Sequence, residues 1–524
     1  MTPELDAAIA YEVADKAIPS VSYAIFDRRH VLAQGHAVAA GAPPLAGDAL
    51  FRLGSISKTY CALAAMRLVE QGRLDLDADI GGALGGLRPR DPFHDVPVPL
   101  TLRKLLGHRS GLTREAAIGN YLDSSEPPLA ATIESLRGTR YKVDPSGHVY
   151  RYSNAGFAVV GAAIEAASGE SYGAHLVRHV LAPLGLADTH VQLAAAQRRR
   201  LAPARMWADG RDFPAPVFNM GSAPAGNLAA TLGDVARYGQ MLLGGGAPLL
   251  RPDTLAAMWT VPDGGPAGYG LGFAVGMLGG QRCVGHGGVL YGYASQLLVL
   301  PEAGIGVVMV STRDATNDAV DRLARYALRL VLADRDGSAR PAAPRRLPLP
   351  DPAVSRAWVG TYAADDGSGL SLISSDGRLL LVHDTVPLEL RPLDAGRLVL
   401  DGRLYGEGTS YAHATVALGD AGTLGWRGRI WRRVAGPAAP VPPPDLAPHL
   451  GGYGPDCIAS RLLWAGRLVC VMELFFPHDC VPLGGTRYRL GPGMYEDEIV
   501  ELGVRDAAGR PAMRVGDMLL ARER

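Results

Sequence analysis

Lysine is almost missing from this 524-residue chain: of 52 basic residues only four, at 16, 58, 104 and 142, are lysine, and the other 48 are arginine. Net charge is missing as well, because 52 acidic residues balance the basic ones. That balance removes the attraction that would hold the protein on nucleic acid or on an anionic membrane surface. The five cysteines (61, 283, 457, 470, 480) are odd in number and lack CxxC spacing. A disulfide framework and a thiolate zinc site are both excluded on that pattern, leaving reduced and mostly buried thiols. No apolar run approaches the ~18 residues of a membrane span. The opening MTPELDAAIAYEVADKAIPS carries acidic residues without a continuous apolar core, so the expectation is a cytoplasmic chain with neither secretory signal nor anchor.

What is present is a chain too long for one core, with 48% hydrophobic residues. Residues 20–39 read as two β runs around a polar turn, and DALFRLGS delivers a short strand. Helical patterns follow at 56–71, 101–107, 154–168 and 231–243, with Gly72 and Gly169 where left-handed C-caps belong. Strand signals return in GYGLGFAVGML and SQLLVLPEAGIGVVMVST before a last helix at 316–332. This order predicts an α+β domain over residues 1–335, helices packed on an antiparallel sheet. Proline-rich linkers at 336–352 and 436–448 then separate two segments, 353–435 and 449–524, of short alternating strands. These look like copies: VGTY (359–362) recurs as LGGY (450–453), and GRLLLV (377–382) as GRLVCV (466–471). Two small antiparallel β-barrels are expected.

Against so little lysine, Lys58 stands out. In Ser55-Ile56-Ser57-Lys58, at a helix start, positions i and i+3 share a face, so the Ser55 hydroxyl and the Lys58 amine can share a proton. An amine whose pKa is lowered by burial can act as the base that serine needs, whereas a guanidinium effectively never deprotonates. Tyr152-Ser153-Asn154 precedes a second apolar helix and can aim a phenol and an amide from one turn, the phenol relaying a proton and Asn154 orienting Lys58 and a substrate amide. Ser153 itself is read as the helix cap. His286-Gly287-Gly288 enters a strand; the glycines let a substrate lie along its edge, and the imidazole can donate to the tyrosine oxygen or to substrate. His108 and Arg109 are read as bracing their loop.

In this order the three motifs resemble S-x-x-K, the tyrosine form of S-D-N, and K-T-G of the penicillin-recognising serine hydrolases, the superfamily of class C β-lactamases, D,D-carboxypeptidases, D-aminopeptidases and related esterases. LLGHRSGL, PLGLADT, PAGNLAATLGDVARY and YGLGF also look like that family, and the resemblance covers residues ~20 to ~332. It implies a β-lactamase/transpeptidase-like domain and an acyl-enzyme, with the oxyanion held by backbone N–H groups of Ser55 and Val289 beside Gly287 and Gly288. No metal or organic cofactor is implied.

Histidine in place of the K-T-G lysine removes a cation for a substrate carboxylate. That departure, with two barrels appended, is similar to the three-domain bacterial D-aminopeptidases, which release N-terminal D-residues from peptides, amides and esters. By that resemblance MELFFPHDCVPL (472–483) is a loop reaching the active site, with Asp479 near the substrate ammonium; a solvated turn aspartate explains Asp479 as well. Phe475 and Phe476 fit either a pocket wall or a barrel core. The substrate is then a small peptide, amide or ester. An esterase, transacylase or peptide-cyclising thioesterase on the same scaffold stays open, as does a non-catalytic binding protein. The barrels have two roles open to them, shielding the cleft or pairing subunits in a homodimer.

Overall fold

In the first part of the chain the strands form one sheet and carry apolar residues at consecutive positions where both of its faces are covered. They are β1 (Ser20–Asp27), β2 (Val31–Val38), β3 (Gly268–Tyr269), β4 (Ala274–Leu278), β5 (Gln281–Leu290), β6 (Tyr293–Leu300) and β7 (Ile305–Ser311). Their order is β2-β1-β7-β6-β5-β4-β3, antiparallel throughout. The helices that matter for the site and the core are α1 (Pro3–Asp15), α2 (Ser57–Glu70), α3 (Asn154–Ser168), α4 (Tyr172–Leu176), α5 (Leu232–Leu243) and α6 (Asn317–Asp336). Tyr23, Ile25, Val307 and Met309 face α1 and α6, while Ala24, Phe26, Val308 and Val310 face the core shared with α2, α3 and α5. Each such side chain contributes roughly 1.5–3 kcal/mol by leaving water. Gly239 of α5 allows a close crossing: a Cβ there would lie 2.2 Å from Phe26 Cζ.

This computed structural model describes residues 3–91, 96–139, 141, 149–208, 211–344, 346–365, 367–375, 377–383, 386–400, 415–420, 422–435, 441–454, 460–473 and 476–523. Two units divide the chain, Met1–Pro344 and Arg345–Arg524. The four cysteines among the described residues are free and buried; Cys457 lies outside them. Among the described residues no helix is long and apolar enough to cross a membrane.

Helix α3 spans the expected 154–168, closed by Gly169 at φ 73°. Helix α6 continues four residues past the expected end, to Asp336, where Gly337 takes a left-handed φ of 65°. Helix α1 was not anticipated; Leu5, Ala8, Ile9 and Val13 fall on one face of it and are buried.

The second unit is built mainly of strands. Eight antiparallel strands from Gly360–Ala363 to Arg429–Val434 close into a barrel. A further eight, from Gly451–Tyr453 to Met518–Ala521, form a sheet in sequential order that a single Tyr453–Arg522 bridge brings nearly to closure. The repeat seen in the sequence has a physical counterpart. Tyr362 donates from its hydroxyl to Trp358 O at 2.7 Å, and Tyr453 donates to His449 O at 2.6 Å, each fastening a first strand to the turn four residues before it. Val469 and Val471 of the second sheet join the core of the first barrel, beside Trp426 and Trp431. Parts of the second proline-rich seam, residues 436–440, lie outside the described residues.

Because each tyrosine hydroxyl serves one carbonyl, Tyr362→Phe and Tyr453→Phe are each expected to lower the unfolding free energy by about 1 kcal/mol. Denaturant titration followed by tryptophan fluorescence, with Trp426 and Trp431 as reporters, checks this.

Candidate active site

Ser55 sits in a 3-10 turn, Gly54–Ile56, that runs directly into α2. Gly54 adopts φ 51°, and a Cβ there would come within 2.6 Å of Val289 N and O. A Cβ on Gly288 would lie 2.0 Å from Leu53 O. Two glycines therefore let strand β5 press against the turn, which sets Ser55 next to the strand edge at Val289. Ser295 ties the contact by donating to Leu53 O at 2.9 Å, and Ser57 holds the turn by donating to Gly54 O at 2.7 Å.

Lys58 lies in the first turn of α2, fully buried. Its Nζ is 3.0 Å from Ser55 Oγ and donates to Ala225 O at 2.6 Å. Burial pushes its pKa well below the lysine range; the Glu115 carboxylate opposes that shift and the Arg114 guanidinium adds to it. Tyr152 donates to Ser55 Oγ at 2.7 Å, so the serine oxygen is bonded to both amine and phenol. Tyr152 is held well above the tyrosine range, first by burial. The phenol therefore donates to Ser55, and Lys58, its pKa lowered, is the better placed of the two to act as base.

The segment carrying Tyr152 is fixed from both sides. Ser153 caps α3, its Oγ accepting from Gly156 N at 2.8 Å, and donates to Thr113 O at 2.6 Å. Ser153 N donates to Nδ1 of His108, whose ring lies 4.1 Å from that of Tyr152. Asn154 does not contact Lys58 as expected. Its Nδ2 donates to Glu115, and its Oδ1 is buried without a partner, because α3 begins at Asn154 and turns that side chain toward the buried Arg114–Glu115 pair.

His286 stands on β5 with its ring centroid 6.4 Å from that of Tyr152, but its bonds go elsewhere. Nδ1 donates to Gly287 O, leaving Nε2 to accept from the Tyr269 hydroxyl at 2.9 Å. The expected donation from His286 to Tyr152 is therefore replaced by acceptance from Tyr269. Burial pushes the His286 pKa down to about 3, so the ring is neutral. Gly287 and Gly288 line the same strand, and Val289, 44% exposed, accepts at its carbonyl from Tyr121.

Asp479 belongs to the second unit. The stretch expected as a loop, 472–483, is instead a hairpin: one strand ends at Met472, Glu473 turns at φ 51°, and Phe476–Gly484 returns. Asp479 lies opposite Val469 on that strand, is 55% exposed, and accepts from Arg467 at 2.7 Å. Phe475 lies outside the described residues.

The sequence reading gave no role to Tyr269, Tyr121, Ala225 or the Arg114–Glu115 pair. Tyr269 and Ala225 fall inside phrases that had been singled out, YGLGF and PAGN; a carbonyl acceptor carries no residue-type signal at all.

A family model described as Beta-lactamase matches residues 5–332. Penicillin-binding protein 4 of Amycolatopsis lactamdurans is 26% identical over 374 residues, covering 67% of this chain and 94% of that protein. The D-aminopeptidase of Gluconobacter oxydans is 26% identical over 277 residues, covering 51% of this chain and 50% of its own. Among solved structures, the octameric penicillin-binding protein homologue from Pyrococcus abyssi aligns with a TM-score of 0.59 and 23% identity, over 82% of this chain and 99% of that one. The matched stretch takes in more than half of the sequence and contains Ser55, Lys58, Tyr152 and His286. The chain belongs to the Beta-lactamase family, within the penicillin-recognising serine hydrolases.

Proposed function

We propose that this protein is a serine amidohydrolase that works through an acyl-enzyme and releases N-terminal D-residues from peptides, amides or esters. The observation that carries acyl transfer is the Ser55 hydroxyl placed between a buried amine at 3.0 Å and a phenol at 2.7 Å. Lys58, neutral, takes the Ser55 proton as Oγ bonds to the substrate carbonyl carbon. Backbone N–H groups of Ser55 and Val289 hold the oxyanion. The carbon–nitrogen bond then breaks, the leaving amine takes the Tyr152 proton, and Lys58 returns a proton to the phenol. Water, deprotonated by the same base, cleaves the acyl ester and frees Ser55.

Two observations favour substrates without a free C-terminal carboxylate near the scissile bond. The third motif carries histidine, and that histidine is uncharged. The Gluconobacter oxydans relative is named for D-aminopeptidase activity, which matches the choice of an amine-terminal substrate.

Lys58→Arg keeps a positive charge but removes the base, and kcat on a D-aminoacyl nitroanilide is expected to fall by about 10²–10⁴-fold. Retention of wild-type kcat would refute the base assignment, and Ser55→Ala should abolish the mass shift left by a serine-directed phosphonate. A parallel screen of D- and L-aminoacyl amides with a short-chain nitrophenyl ester separates amidohydrolase from esterase.

The pH profile follows from the two shifted groups. The base works only when deprotonated, so kcat/KM for an uncharged ester should rise as pH passes the lowered Lys58 pKa, well under the usual ~10.4. It should fall only as pH passes the raised Tyr152 pKa, above the usual ~10. Stopped-flow acylation across pH, with Tyr152→Phe removing the alkaline limb, is the measurement.

A further inference from the structure

Among the described residues, one set of metal-competent side chains stands apart from the catalytic cluster. After α3 ends, the left-handed turn at Gly169 carries Glu170 over the next helical segment, α4, which continues through a π-helical turn, Val177–Leu181. His175 and His179 stand four residues apart in this segment and so share a face. Both turn a ring nitrogen to one carboxylate oxygen: His175 Nδ1 lies 3.2 Å, and His179 Nε2 3.1 Å, from Glu170 Oε2. The three candidate ligand atoms all lie within 4.8 Å of one another. A tetrahedral ion with bonds of about 2.0–2.1 Å spaces its ligands roughly 3.3 Å apart, close to the two carboxylate–imidazole distances.

The surroundings suit an ion at the edge of the fold. His175 is 3% exposed, Glu170 19% and His179 34%, so the cluster has a closed inner side and an outer side open to water for the remaining coordination position. His175 Nε2 is buried with no hydrogen-bond partner, which leaves Nδ1, the atom turned to Glu170, as the nitrogen that fixes the ring. The other Glu170 oxygen, Oε1, is occupied by Arg178.

We propose that Glu170, His175 and His179 bind one divalent transition-metal ion, with zinc matching the N2O donor set. The site is separate from the chemistry at Ser55: α3 has 15 residues and, at ~1.5 Å each, is about 22 Å long, with Tyr152 before its first turn and Glu170 beyond its last. Its effect is structural, fastening the turn after α3 to the helix that follows, with no step of acyl transfer passing through the ion.

Chelator-treated full-length protein, titrated with Zn²⁺ by calorimetry and with Co²⁺ by visible absorption, should take up one equivalent and show tetrahedral Co²⁺ bands. The melting temperature should climb with Zn²⁺ concentration, as it must for a ligand of the folded state alone. His179→Asn should weaken binding by more than about 10-fold, the loss that even an outer partner of a metal ligand produces. Arg178→Ala, which frees Glu170 Oε1, should tighten it. A cooperative melt of metal-free His179→Asn establishes that this variant is folded, and Glu170→Gln replaces it if that melt is lost. Absence of stoichiometric uptake by the wild type, or unchanged affinity in a folded ligand variant, overturns the proposal.

Discussion

A buried amine, its hold on a proton weakened by lost hydration, is the constraint around which the first unit is arranged. Taking a charge out of water is costly, and Lys58 at the base of α2 is fully buried. The groups around it nonetheless suit a cation: the Ala225 carbonyl accepts one of its hydrogens, and the Tyr152 and Phe157 rings lie 4.8 and 5.6 Å from Nζ. Burial thus weakens the amine's hold on its proton, while carbonyl and ring faces are placed to receive the charge once the Ser55 proton arrives. Glu115 and Arg114, buried as a pair, pull on this balance in opposite directions.

The second requirement is steric. Ser55 can face a strand edge only because Gly54 and Gly288 let backbone meet backbone, and any side chain at either position would collide with Val289 or Leu53. The N-terminal end of α2, the glycine pair and β5 therefore form one unit of geometry, with Tyr152 brought to it by the capped start of α3. His286 belongs to the wall of this unit. Its two nitrogens are spent on Gly287 O and Tyr269, so it fixes the strand-side pocket as an uncharged surface.

Much of this was legible in the residues. The helix at 154–168 could be bounded from both ends because Ser153 caps it and a glycine closes it, both local features with strong chemical signatures. Ser55, Lys58 and Tyr152 could be named because serine, lysine and tyrosine carry their chemistry in the side chain. Partners could not. Whether His286 faces Tyr152 or Tyr269, and whether Asn154 reaches Lys58 or Glu115, depends on how separate segments of the backbone are brought together in the fold. The 472–483 stretch is expected as a loop by resemblance alone, and Phe476–Gly484 forms a strand instead. Helix α1 was overlooked because its stretch was weighed only as a signal or an anchor, although its apolar residues were spaced to cover a sheet.

Val469 and Val471 project from the second strand set into the core of the first barrel. A seam of this kind makes the two modules siblings that cannot be weaned from one another: cutting between them would bare greasy valines on one side and a hollow beside two tryptophans on the other. Two similar pieces with one interior behave as a single block, and any rearrangement of the chain that keeps the tryptophans covered must carry both.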